Sequence, residues 1–193
     1  GFVILLSADG AKPRAFLASR VARLYPAFWA CATVTALVLW LAGNPRFDIS
    51  LIDYLINMTM FAHWFGVSYV DGAYWSLAIE LHFYLYVFIA LRLGWFGRLD
   101  WLLACWLLVS GINAMRPMWS VEFWLNAKWA PFFVAGGVFF LIRTRGITVF
   151  RISLLFSAYV LAVLYAIREA GQLSVRFSNY AATQGGEVGS QDY

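Results

Sequence analysis

The sequence predicts an all-α polytopic bundle of transmembrane helices, about five full helices plus the end of one more. Two observations predict it. The 193-residue chain is 63% hydrophobic and 19% aromatic with only 12% charged residues, whereas about a quarter of the residues in a soluble domain are charged. The few charges are also clustered. Long uncharged runs alternate with short groups of Arg and Lys, the pattern of a chain that crosses a bilayer repeatedly. The net charge of +4 follows from that topology and does not call for a nucleic-acid partner.

A bilayer core of about 30 Å requires roughly 20 helical residues. Gly1 to Ala8, GFVILLSA, reads as the tail of a helix that began upstream, so the chain is expected to be a fragment. Full helices are expected over Pro26 to Gly43, Tyr74 to Leu93, Leu99 to Ala114, Lys128 to Ile142 and Thr148 to Ile167. Between the first two, the apolar run is interrupted by Asp48, Asp53 and Asn57, which predicts an interfacial or re-entrant helix because lipid penalises such groups. Asp71 and Gly72 form a turn signal, with Asp71 as the N-cap of the next helix. Gly136 and Gly137 allow close helix approach. Trp119, Phe123, Trp124 and Trp129 fit an interfacial aromatic belt, with a carbohydrate platform as the alternative. From Arg168 onward the chain turns polar, and residues 168–193 are expected to be disordered or truncated. Cys31 and Cys105 lie in apolar runs and read as inert core residues, without disulfide or metal-ligand spacing.

The basic clusters set an orientation. Asp9 to Arg23, Arg92 to Asp100 and Arg143 to Arg151 each carry an arginine excess and are expected on the cytoplasmic side. The acidic stretch Asn44 to Ala73 and the aromatic stretch Met115 to Lys128 then face the other side, which puts the start of the helix bearing Glu80 near the outer surface.

Glu80 and His82 stand in the apolar stretch YVDGAYWSLAIELHFYLYVF. An ionised carboxylate in hydrocarbon costs several kcal/mol, so Glu80 needs a partner or a cavity. On a helix, Ser76, Glu80, Tyr84 and Phe88 share one face at spacings of four, while His82 lies about 200° around from Glu80, so the two are not a local acid–base pair. Glu80 is then either a helix-locking carboxylate or a cavity group that orients a substrate or a catalytic residue. His82 reads as a hydrogen-bonded packing residue in preference to a catalytic one, and His63 as an interfacial residue among aromatics. Arg20 and Arg23, three apart on a short cytoplasmic helix that runs into the membrane at Pro26, are either positive-inside anchors or a phosphate-binding pair, since each guanidinium can grip phosphate oxygens bidentately.

These blocks, in this order, resemble the integral-membrane acyltransferase family 3, whose members O-acylate O-antigen, peptidoglycan, Nod factors and other glycans. The most specific match is to the family's Trp-Ser-Leu-x-x-Glu followed by Phe-Tyr, at Trp75, Ser76, Leu77, Glu80, Phe83 and Tyr84. The family's Arg-x-x-Arg-Leu/Ile-x-Pro matches at Arg20, Arg23, Leu24 and Pro26. The resemblance extends to about Arg143, and because the family's domain has around ten helices, the chain would be about half of one.

The resemblance implies a multi-pass protein of the bacterial inner (plasma) membrane. Residues 1–167 would form a partial acyltransferase domain that takes acyl-CoA, acetyl-CoA above all, as donor and a cell-envelope or lipid-linked glycan as acceptor, without a metal. Arg20 and Arg23 would receive the CoA phosphates, Glu80 would orient groups or handle a proton, and Trp75, Ser76 and Tyr84 would line the substrate cavity. The family's Arg-x10-His signature is absent, because position 52 before His63 is Ile and position 71 before His82 is Asp. That signature is expected upstream of Gly1, so this segment is expected to be inactive alone. Composition and periodicity by themselves leave open a transporter or polysaccharide-export subunit and a non-catalytic assembly component.

Overall fold

The computed structural model describes residues 1–43 and 49–188, with the side chains of His63 and of residues 176–188 outside the description. Among the described residues the chain is helical and has no strand. It forms two compact units, Gly1–Leu99 and Asp100 onward. Five helices are long and apolar enough to cross a membrane: Pro13–Ala42, Trp75–Arg92, Trp95–Met115, Trp119–Arg145 and Val149–Val175. The chain is a multi-pass helical membrane protein by that measure. Asp48 and the last five residues of the tail lie outside the described residues.

In the first unit, α1 (Phe2–Ala8), α2 (Pro13–Ala42) and α4 (Trp75–Arg92) pack on one another. The sequence places the start of the first full helix at Pro26, but α2 begins 13 residues earlier and carries Pro26 in its interior. Proline there forfeits one backbone hydrogen bond, a loss that membrane helices tolerate. The helix bearing Arg20 and Arg23 does run on through Pro26, as one continuous 30-residue helix, about 45 Å long and longer than a bilayer core. Gly43 ends it at φ 58, a left-handed cap that glycine adopts without strain.

The segment between α2 and α4 folds back along the C-terminal half of α2. α3 (Leu51–Asn57) is opened by a capping box: Ser50 Oγ accepts from the Asp53 amide, and the Asp53 carboxylate accepts from the Ser50 amide. Trp29 Nε1 donates to the Met58 carbonyl and Trp40 Nε1 to the Ile49 carbonyl, while Thr33 and Tyr54 share a 2.8 Å bond. Asn57 is buried to 1% exposure and ties the loop together. Its Nδ2 donates to the Asp53 and Ser68 carbonyls, and its Oδ1 accepts from the Val70 amide. Polar groups that lipid would penalise are thus satisfied internally. A 3₁₀ turn, Ala62–Phe65, follows. Beyond it burial raises the Tyr69 phenol above its ordinary value, so it stays a neutral hydroxyl.

This return path determines where α4 starts. Phe28, Ala32, Met60 and Tyr74 form a buried cluster, and the Phe28 and Tyr74 rings meet edge to face at 5.0 Å. Tyr74 therefore enters beside the middle of α2. Asp71 is not the N-cap: its Oδ1 accepts from the Ala73 amide at 2.9 Å in a turn ahead of the helix, whose capping position is Tyr74.

In the second unit, α5 (Leu99–Met115), α6 (Trp119–Leu125), α7 (Ala130–Arg145) and α8 (Val149–Val188) follow in order. α7 buries Ala130, Val134, Gly137, Val138 and Leu141, a stripe at helical spacing, and packs extensively on α8. Small residues in that stripe let the helices approach, and van der Waals contact rather than the hydrophobic effect holds them in lipid. At one end of the unit Arg151 grips Asp100 through Nε at 2.7 Å and Nη2 at 3.1 Å, with Arg145 at 3.5 Å. At the other, Glu122 accepts from Asn113 Nδ2 and the Lys128 amide, and Lys128 Nζ pairs with Glu169 at 2.9 Å. α8 continues through residues 168–188, where the sequence predicts a disordered tail. Those residues include good helix formers and no proline, so a helix already propagating can run on. Cys31 and Cys105 are exposed and not core residues, because an apolar run in lipid has an outward as well as an inward face.

Candidate functional site

The site builds up from two helices of the first unit. On α2, Phe16, Arg20 and Leu24 recur every four residues and so share a face, with Arg23 beside it. On α4, Glu80 and Tyr84 are one turn apart. Where these faces meet, Arg20, Arg23, Leu24, Glu80 and Tyr84 line a cavity of about 440 Å³ together with Val3 and Ile4 of α1. That volume falls within the range of small-molecule sites, about 300–1,000 Å³.

The Tyr84 hydroxyl donates to Glu80 Oε1 in a short bond. Arg20 is buried, and its guanidinium carbon lies 5.6 Å from the Phe16 ring and 5.8 Å from the Tyr84 ring. Phe16 and Tyr84 meet edge to face at 6.3 Å, so the guanidinium rests against an aromatic corner. Its Nε is buried without a hydrogen-bond partner among the described residues. An orphaned charged donor costs more than an ordinary lost hydrogen bond, so Arg20 is arranged to receive an acceptor. Arg23 is exposed at the cavity's rim.

The structure therefore brings together what the sequence separates. Reading the loops by charge puts Arg20 and Arg23 at the cytoplasmic end and Glu80 near the outer one, yet all three line one cavity. The reason is the return path of residues 51–74, which covers the far half of α2 and admits α4 only at its midpoint.

Not every candidate residue reaches the cavity. Trp75 and Ser76 are exposed and do not line it, and the Ser76 hydroxyl donates back to the Ala73 carbonyl at 2.9 Å. Ser76 shares Glu80's face but stands about 6 Å further along the helix axis, which carries it past the rim. His82 is buried away from the cavity, donates from Nδ1 to the Ala78 carbonyl at 2.8 Å and packs 5.6 Å from Trp64 and 6.4 Å from Tyr86. The helical separation of His82 from Glu80 holds. Phe16, Val3 and Ile4 carry no assigned role in the sequence, and Leu24 enters there only as part of the arginine motif. The spacing of four that links Phe16, Arg20 and Leu24 is the signal that finds two of them, whereas the contribution of α1 has no local signature.

No family model, curated protein or solved structure matches this chain.

Proposed function

We propose that the chain is part of a membrane O-acyltransferase that moves an acyl group, acetyl above all, from cytoplasmic acyl-CoA to a hydroxyl of a cell-envelope or lipid-linked glycan. The observation that carries this reading is the convergence of Arg20, Arg23, Glu80 and Tyr84 on one cavity. Two guanidinium groups supply forked donors for phosphate oxygens, and the orphaned Nε of Arg20 is one of them. The resemblance at Trp75, Ser76, Leu77, Glu80, Phe83 and Tyr84 supplies the reaction class, and placement in a bacterial inner membrane belongs to the same proposal.

In that reaction the acceptor oxygen attacks the thioester carbonyl, the C–S bond breaks, and the acceptor's proton ends on the departing thiolate. The arginines hold the donor by its phosphates. Glu80, fixed by Tyr84, orients the reacting groups or handles that proton. The test is transfer of labelled acetyl from acetyl-CoA to glycan by the full-length protein and by Arg20→Ala and Glu80→Gln. Loss of transfer by both at unchanged expression supports the assignment, and normal transfer by both defeats it.

A carboxylate in a cavity also suits a proton-coupled transporter or export subunit. Substrate movement that depends on pH and leaves no covalent product would favour that reading. If Glu80→Gln lowers stability while activity per folded molecule is unchanged, Glu80 is only a helix lock.

A further inference from the structure

The second unit contains a larger feature that acyl transfer does not use. Between α5 and α8 runs a groove of about 790 Å³. Leu107, Leu161 and Tyr165 form its buried floor, and the exposed side chains of Leu108, Ile112 and Leu164 stand along its walls. The Tyr165 hydroxyl is turned away onto the Ser110 carbonyl, which leaves the floor apolar. From Leu154 to Arg168 the groove follows α8 for about 21 Å, more than the roughly 15 Å depth of one leaflet's hydrocarbon.

One end of the groove is cationic. Arg168 lines it and is anchored by a 2.7 Å bond from Nη1 to the Ala114 carbonyl, at the C-terminal turn of α5. Its Nε and Nη2 make no bond among the described residues. The neighbouring acid, Glu169, is already paired with Lys128 at 2.9 Å and does not neutralise it. The groove thus offers a long apolar trough ending in a fixed guanidinium. A second copy's apolar helix face would fill the trough but bring no anion to Arg168, whereas a lipid with a phosphodiester headgroup satisfies both.

We infer that the α5–α8 groove binds an anionic glycerophospholipid, with one acyl chain along Leu107, Gly111 and Leu161 and the headgroup on Arg168. This does not rest on the acyl-transfer reading. Gly111 supplies the test. A Cβ built there meets nothing within 4 Å, so a side chain can leave the helix at this point without a clash at its root, and Gly111→Leu is expected to occupy part of the groove.

The full-length protein in mild detergent is titrated with dioleoylphosphatidylglycerol and, separately, dioleoylphosphatidylcholine, and bound lipid is counted by native mass spectrometry. The wild type is expected to prefer phosphatidylglycerol about fivefold, the effect of one arginine at an anionic headgroup. Arg168→Gln is expected to abolish the preference, Arg168→Lys to retain most of it, and Gly111→Leu to weaken binding of both lipids at least tenfold. Thermal melting of each variant confirms folding. Equal binding of the two lipids by the wild type overturns the inference. So does a preference that survives both Arg168→Gln and Gly111→Leu, or a dimer that Gly111→Leu dissociates and lipid does not.

Discussion

Tyr84 donates its hydroxyl to Glu80 one turn back along α4, while its ring lies 5.8 Å from the Arg20 guanidinium. One side chain thus fixes the carboxylate and supports the cation that face the same cavity. Tyr84→Phe keeps the ring contacts and removes only the donor. If the proposed acyl transfer holds, the full-length Tyr84→Phe protein should show a kcat/KM about tenfold to a hundredfold lower, in line with a lost hydrogen bond to a charged group, while thermal stability changes little. An unchanged kcat/KM would remove Glu80–Tyr84 from the mechanism.

Arg20→Lys separates charge from geometry. Lysine preserves the positive charge but not the planar fork or the stacking against Phe16. The expected result in steady-state kinetics is a KM for acyl-CoA raised about tenfold with kcat within about twofold, the signature of lost ground-state binding. A fall in kcat at constant KM would assign Arg20 to the chemical step instead.

Asn57 is predicted to control where α4 enters. Asn57→Leu removes three hydrogen bonds and leaves the Val70 amide without its acceptor. The expected destabilisation is about 2–3 kcal/mol, read by thermal melting, with faster amide exchange across residues 66–74. Exchange in α7 and α8 should be unaffected, and uniform loosening of both units would refute a local role.

At the Asp100 end of the second unit, Arg151→Met leaves Asp100 with only Arg145 nearby and should lower the melting temperature measurably, by about 1 kcal/mol of stability for a partly exposed pair. The double variant Asp100→Leu/Arg151→Met should recover part of that loss, because the carboxylate that lost its closest partner goes as well. Additive losses in a melting series would show that the pair contributes little coupling.

The membrane class and the approximate spans were legible, since hydropathy and charge clustering report directly on what lipid tolerates. The grouping of Arg20 with Glu80 was not. It depends on Asn57 and on the Phe28–Tyr74 contact, which return the chain to the middle of α2, and neither leaves a periodic trace in residues 16–30 or 75–88. Pro26 misled in a specific way, because its usual meaning as a helix start applies in water more strictly than in a bundle that re-satisfies a freed carbonyl. The exposed Cys31 and Cys105 show the same limit, for in an all-apolar helix sequence alone does not tell the packed face from the lipid face.

Whether Arg20 and Arg23 form the phosphate-binding part of an acyl-donor site can be read from equilibrium binding of coenzyme A and of pantetheine, which lacks the phosphates, to the full-length protein. Coenzyme A is expected to bind at least a hundredfold more tightly than pantetheine, and the Arg20→Ala/Arg23→Ala variant to lose most of that difference while still folding. Equal affinity of the wild type for the two ligands, or unchanged coenzyme A binding by the double variant, would contradict it.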